Sequence, residues 1–240
     1  MADGVGSSGS IVFDDRPSES PDIERVWQGC SAAVDGMTSI ATAHWTLVAW
    51  RVGREWRVAV QGPETRATTA PVPPETEFVG IRLALGTALE RLPTNRLVDH
   101  STEFPDVSRH SVRIFGHAVP LPGYDGAEEL VQRLVRLGVI VRDPLVRDVL
   151  RGWQPDATSR TVRRHFLSAS GLTPGLLRQI ERAREAAVMI RTGAPIADVA
   201  HDLGYYDQPH LARSLGRFIG HTATELRTGA AGQLSLLYKT

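Results

Sequence analysis

The last third of the chain repeats itself, and this restricts the possible folds more than any other feature. Shifted by about 49 residues, Thr158-Ser-Arg-Thr-Val-Arg-Arg-His-Phe166 overlays Asp207-Gln-Pro-His-Leu-Ala-Arg-Ser-Leu215 without gaps, and Gly171-Leu-Thr-Pro-Gly-Leu-Leu-Arg178 overlays Gly220-His-Thr-Ala-Thr-Glu-Leu-Arg227. Arg164 meets Arg213, Gly171 meets Gly220, Thr173 meets Thr222, and Leu177-Arg178 meets Leu226-Arg227. Val162 and Phe166, like Leu211 and Leu215, are four apart and share one face of a helix. A repeated pattern of this kind specifies two copies of one helical unit.

Each copy has the punctuation of a helix. Thr158 and Asp207 are N-cap types whose side-chain oxygens satisfy the first free backbone N–H groups. Pro209 falls in the first turn, where its missing N–H costs nothing. Gly171 and Gly220 end the helices in the left-handed conformation. Ahead of the second copy, Pro195-Ile-Ala-Asp-Val-Ala-His-Asp-Leu203 reads as a short helix with Ile196, Val199, Ala200 and Leu203 inward, and Gly204-Tyr-Tyr206 as a tight turn. Short helix, glycine turn and capped helix is the helix-turn-helix pattern. This leaves Ser159, Arg160, Arg163 and Arg164 on the outer face of the first capped helix, and Gln208, Pro209, His210, Ala212 and Arg213 on that of the second. Donors at such helix ends suit phosphates and base edges, so double-stranded DNA is the expected partner. Pro209 and Ala212 cannot donate, so polar reading by the second unit falls to Gln208, His210 and Arg213. Arg164 and Arg213 also suit structural ion pairs, and a repeated helical hairpin also suits a protein-interaction module. The long helix from Leu176 to Ile190 joins the units, and recognition helices about 34 Å apart would reach one face of the duplex.

These residues resemble the AraC/XylS (arabinose-regulator) family of bacterial transcription factors. The resemblance is carried by Ser159–Phe166, Gly171-Leu-Thr-Pro174 and Arg182-Ala-Arg-Glu-Ala-Ala187, then by Ile196–Ala200, Leu203-Gly-Tyr205, Asp207–Leu211 and Arg217-Phe-Ile-Gly220. It covers about the last hundred residues. It implies a seven-helix DNA-binding domain with two major-groove helices, commonly an activator touching RNA polymerase. Two departures stand out. Asp143-Pro-Leu-Val-Arg-Asp-Val-Leu150 must supply the first short helix, with Val146 and Val149 in place of Ile196 and Val199 and a longer connection containing Pro155. After the last glycine the chain has Thr222-Ala223 where the family commonly has Thr-Pro.

The first half differs in texture. Thr46–Val52 and Glu55–Val60 read as a hairpin, and Phe78–Leu83 as a strand entered through the extended Pro71–Pro74. Gly86–Leu92 adds a helical turn or two. Phe78–Gly86 with Leu97-Val-Asp99 is similar to a β-rich sensor-like domain that precedes this DNA-binding domain in many soil-bacterial regulators. From Tyr124 to Arg227 the pattern is helical throughout, and Pro120, Pro122, Gly123 and Gly126 mark a boundary. The expected chain is α+β in two domains. Residues 1–21 form a flexible tail and 22–122 a small β-rich sandwich or barrel for sensing or dimerisation. Residues 126–228 form an all-α domain with two helix-turn-helix units, and 229–240 a C-terminal tail.

Composition bounds the chemistry. Lys+Arg and Asp+Glu both number 27, so overall charge names no partner. Between Arg142 and Arg227, however, about thirteen Arg face about nine acidic residues. Lys239 is the only lysine, so nearly every cation is a guanidinium, able to grip phosphate or guanine with two donors. The single cysteine, Cys30, excludes an internal disulfide and a multi-thiolate metal site and reads as a small buried residue. His44, Trp45, Trp50 and Trp56 suit either an effector pocket or the core of a small β-domain. His100 and His110, with Asp99, Glu103 and Asp106, fit no helical ligand pair. No nucleophile with an adjacent base, phosphate loop or paired-carboxylate motif stands out, so neither enzyme nor cofactor is expected. A DNA alkylation-repair role needs reactive cysteines in a context that Cys30 lacks. No apolar run reaches bilayer length and the N-terminus has no signal pattern, so we expect a cytoplasmic regulator. RNA polymerase, a small-molecule effector and a second copy in a homodimer are the further partners compatible with the resemblance.

Overall fold

The computed structural model describes residues 11–31, 37–70, 75–153 and 156–229. The strand-rich part runs β1 (Ile11–Pro17), β2 (Ile23–Ser31), β3 (Met37–Ser39), β4 (Thr46–Val52), β5 (Glu55–Gln61), β6 (Thr68–Ala70), β7 (Glu77–Leu83) and β8 (Thr87–Leu89). It continues through a one-turn helix α1 (Thr94–Leu97), β9 (Ser101–Glu103), β10 (Ser111–Ile114), β11 (His117–Pro120), α2 (Ala127–Arg136) and β12 (Ile140–Arg142). Six helices follow: α3 (Pro144–Leu150), α4 (Ser159–Ser170), α5 (Pro174–Arg191), α6 (Ile196–Asp202), α7 (Gln208–Phe218) and α8 (Ala223–Thr228).

The main sheet is antiparallel and open, in the order β1-β2-β7-β4-β5-β9. Alternation along its strands sends Val26, Leu47, Ala49, Val58, Val60 and Ile81 to one face. Half-buried antiparallel strands need a cover for that face. The β10–β11 hairpin and the apolar stripe of α2 (Leu130, Val131, Leu134) supply it. The hairpin expected at Thr46–Val60 is present, and Gly53 turns it with φ of 63°.

Several expectations need correction. The tail does not extend to residue 21: from Ile11 the chain is an edge strand paired with β2, and Arg16 donates to Glu128 of α2 at 2.6 and 2.9 Å. Residues 1–10 and 230–240 lie outside the described residues, as do Pro71–Pro74 and Pro155. The stretch after Tyr124 is not wholly helical, because β12 pairs with β8. Gly86–Leu92 contains this strand instead of a helical turn, and the short helix comes later, at Thr94. Beyond the boundary expected at residues 122–126, α2 and Ile140 bury their apolar side chains in the first core. An amphipathic helix shows that it must bury a face, not which core will take it. Residues 126–228 hold seven described helices, α2 to α8, of which α2 buries its apolar face in the first core. Cys30 is exposed, near the C-terminal end of β2, and not buried as expected.

The second core gathers Phe166, Leu172, Ile180, Ala183, Ala187, Ile190, Val199, Leu211, Leu215 and Phe218 from the helices. Ile40, Ala41 and Ala43, from the segment between β3 and β4, are buried in it as well.

Candidate nucleic-acid interface

The second unit is built around Tyr205. Gly204, at φ of 67°, turns the chain out of α6, and Tyr205 drops into the core with its hydroxyl 3.2 Å from Ser214 Oγ on α7. The Arg182 guanidinium of α5 lies over the Tyr205 ring at 4.3 Å and donates to the Gly204 carbonyl at 3.3 Å. Asp207 then caps α7, its Oδ1 accepting from the His210 N–H at 2.7 Å. His210 packs edge-on against Tyr205, and its Nδ1 accepts from the Tyr206 N–H at 3.4 Å. Turn and helix start are thus fixed from three directions.

The first unit reaches a similar form by other means. Asp143 Oδ1 accepts from the Leu145 and Val146 N–H groups at 3.0 and 3.1 Å and caps α3. Its other oxygen, Oδ2, lies 2.7 Å from His165 Nδ1, tying α3 to α4. Thr158 caps α4 through the Thr161 N–H at 3.2 Å. Val146 is fully buried and packs at Gly86, in the turn between β7 and β8. A Cβ on Gly86 would sit 2.8 Å from Val146 Cγ1, so the close approach requires glycine. In α6 the fully buried valine is instead Val199. The first short helix therefore leans on the strand-rich domain, and the second on α5.

Both capped helices turn their outer faces to solvent. Ser159, Arg160, Arg163 and Arg164 on α4 are exposed, as are Gln208, Pro209, Ala212 and Arg213 on α7. Among the described residues none of Arg160, Arg163, Arg164 and Arg213 makes an ion pair. A family model described as a helix-turn-helix domain matches residues 156–229. That segment belongs to the AraC-type helix-turn-helix family. The AraC-type match supports a DNA-binding role for this segment, of the kind found in transcription regulators. No curated protein and no solved structure matches the chain.

Within the AraC-type domain the structure adds two residues that sequence reasoning did not select. Tyr206, in the turn before α7, is 92% exposed, and Trp153, in the connection before α4, is 64% exposed. Both rings precede a capped helix in the chain and stand in solvent. The only sequence signal was two adjacent tyrosines, of which the turn buries one. Thr222-Ala223, the departure at the end of the domain, forms a full capping box: Thr222 and Glu225 satisfy one another's backbone N–H groups. This holds the Glu225 carboxyl below its ordinary range.

The residues expected at an effector pocket do not all lie on one face of the sheet. Trp45 and Trp56 pack on the inner side of the sheet, while Trp50, opposite Phe78 and Arg57, takes the other face. Trp56 borders an open groove of about 560 Å³ with Arg54, Arg57, Phe104 and Arg109. His44 is buried beside Glu24, its Nδ1 2.9 Å from the Leu83 carbonyl, and burial pushes its pKa down. Among the described residues no helix is long and apolar enough to cross a membrane, and no cluster of metal-ligating side chains is present.

Proposed function

We propose that the chain reads two neighbouring major-groove segments of double-stranded DNA, one with α4 and one with α7. The observation that carries this reading is the matched pair of capped, solvent-facing helices with uncommitted guanidiniums. Arg160, Arg163, Arg164 and helix N-termini grip phosphates and base edges on one segment; Gln208, Pro209 and Arg213 face the other. His210 acts chiefly by bracing the turn, in keeping with its half-buried ring. In the same reading the regulator works in the cytoplasm, activates by touching RNA polymerase, and takes its controlling signal, a small-molecule effector, through the strand-rich domain.

The test is binding to a duplex selected by the protein from a random pool, against unrelated duplex. Arg213→Ala should reduce discrimination between the two by about 1–3 kcal/mol, the scale of one lost bidentate base contact. Equal weakening on both duplexes would make Arg213 a phosphate ligand.

A further inference from the structure

We propose that the strand-rich domain sets the angle and spacing of the two recognition helices by gripping both from behind, with Trp45 and Thr94 as positioning residues for α4. This rests on the reading that α4 and α7 each enter a groove. The last carbonyls of a helix have no partner within it and carry the negative end of the helix dipole. In α4 the Ser168 carbonyl accepts from Thr94 Oγ1 at 2.6 Å and the Ala169 carbonyl from Trp45 Nε1 at 3.2 Å. In α7 the Arg217 carbonyl accepts from the Ala67 N–H and the Phe218 carbonyl from the Ala41 N–H, both at 2.8 Å. The same shift of about 49 residues that defines the repeat carries Ser168 onto Arg217 and Ala169 onto Phe218.

The glycines that follow obey the same shift. A Cβ on Gly171 would lie 2.5 Å from Val98 Cγ2, and one on Gly220 would lie 2.9 Å from the Ala67 Cβ. Both repeats thus present one equivalent end to the strand-rich domain. The donors are unlike: two side chains for α4, two main-chain amides for α7.

One buried segment reaches both units. Residues 40–45 give the Ala41 amide to α7 and the Trp45 indole to α4, while the Ala41 carbonyl accepts from Arg184 Nη1 of the connecting helix α5 at 2.9 Å. Trp45 is 1% exposed and Arg184 3%. Turning one unit against the other would break one set of these bonds without water to replace them. Moreover, α4 packs on α1 and β8, whereas α7 packs on α5. Loosening Trp45 or Thr94 should therefore free α4 while leaving α7 seated.

The experiment uses the full chain, with Thr94→Val and Trp45→Phe, selecting from a duplex pool of random sequence. Arg213→Ala first assigns which selected segment α7 reads. Wild type should select two segments at one fixed spacing. Each variant should keep the α7 segment, blur the α4 segment, accept an added or removed base pair between them, and bind the wild-type duplex about three- to tenfold more weakly. The same two segments at the same spacing and affinity would overturn the proposal, as would equal loss of both segments in a variant that melts like wild type. A wild-type selection with one segment or none would instead defeat the two-helix reading itself. Thr94→Val, nearly isosteric and at the protein surface, decides the matter should Trp45→Phe melt early.

Discussion

At the scale of single residues, buried polar groups carry more consequence than the exposed arginines. His44 is enclosed with Glu24, Arg82 and Glu181 around it, and burial outweighs the two carboxylates to push its pKa down. The denatured chain takes up a proton near the ordinary value of 6.5, and the folded chain resists doing so. Stability is therefore full above about 6.5 and is lost as pH falls below that towards the folded value. Urea midpoints measured across this window should fall with acid in wild type and fall less steeply in His44→Gln; parallel curves would show that another group is responsible. Glu128 behaves in the same direction lower on the scale. Arg16 and Ser18 hold its carboxyl at about 2, so the tie between β1 and α2 survives acid until pH drops from about 4.5 towards that value. On the exposed side, Tyr206→Ala should weaken binding to selected DNA without lowering the melting temperature, because the ring stands in solvent at the start of α7. A loss of stability with unchanged DNA affinity would make Tyr206 structural.

At the scale of elements, the cap residues make sharper predictions than the cores. Asp207→Ala removes the acceptor for the His210 N–H at the start of α7 and should cost about 1 kcal/mol of stability by chemical denaturation. Asp143→Ala should cost more, since the same carboxylate also holds His165 of the neighbouring helix. Equal losses in the two variants would show that the Asp143–His165 contact is idle. The capped helices were legible in the sequence because their information is local: Thr158 and Asp207 start them, the four-residue spacing of Val162 with Phe166 and of Leu211 with Leu215 aims them, and glycine stops them. The destination of α2 was not legible. Leu130 and Leu134 announce a buried face, yet only the open sheet, a product of pairing among distant strands, decides where that face goes. The edge strand β1 was hidden for a related reason: its short Ile11-Val-Phe13 run leads straight into Asp14-Asp-Arg-Pro17 within a stretch rich in Gly, Ser, Asp and Pro, and its order comes from pairing with β2. His44, Trp45, Trp50 and Trp56 suited a pocket by residue type, but parity along β4 and β5 puts Trp50 and Trp56 on opposite faces. The junction at residues 40–45 left no local mark, because its contacts lie more than a hundred residues away in the chain.

At the scale of the whole molecule, charge distribution and shared burial are the properties to test. A regulator that neutralises about four phosphates should lose about a hundredfold in DNA affinity between 50 and 200 mM salt. An affinity that hardly responds to salt would favour an apolar protein interface and a module that has ceased to read DNA. Because Ile40, Ala41 and Ala43 are buried among the helices, heat should unfold both halves in one cooperative transition. This shared burial also has a consequence for synthesis. The helices emerge from the ribosome after the sheet, and their core closes only around a peptide made more than a hundred residues before. Residues 40–45 must wait, displayed on the finished sheet, until α5 and α7 arrive. A gene fragment starting at Asp143 would encode helices with an apolar socket and two rows of unmet carbonyls, material prone to cling to any partner offering a short strand of small side chains.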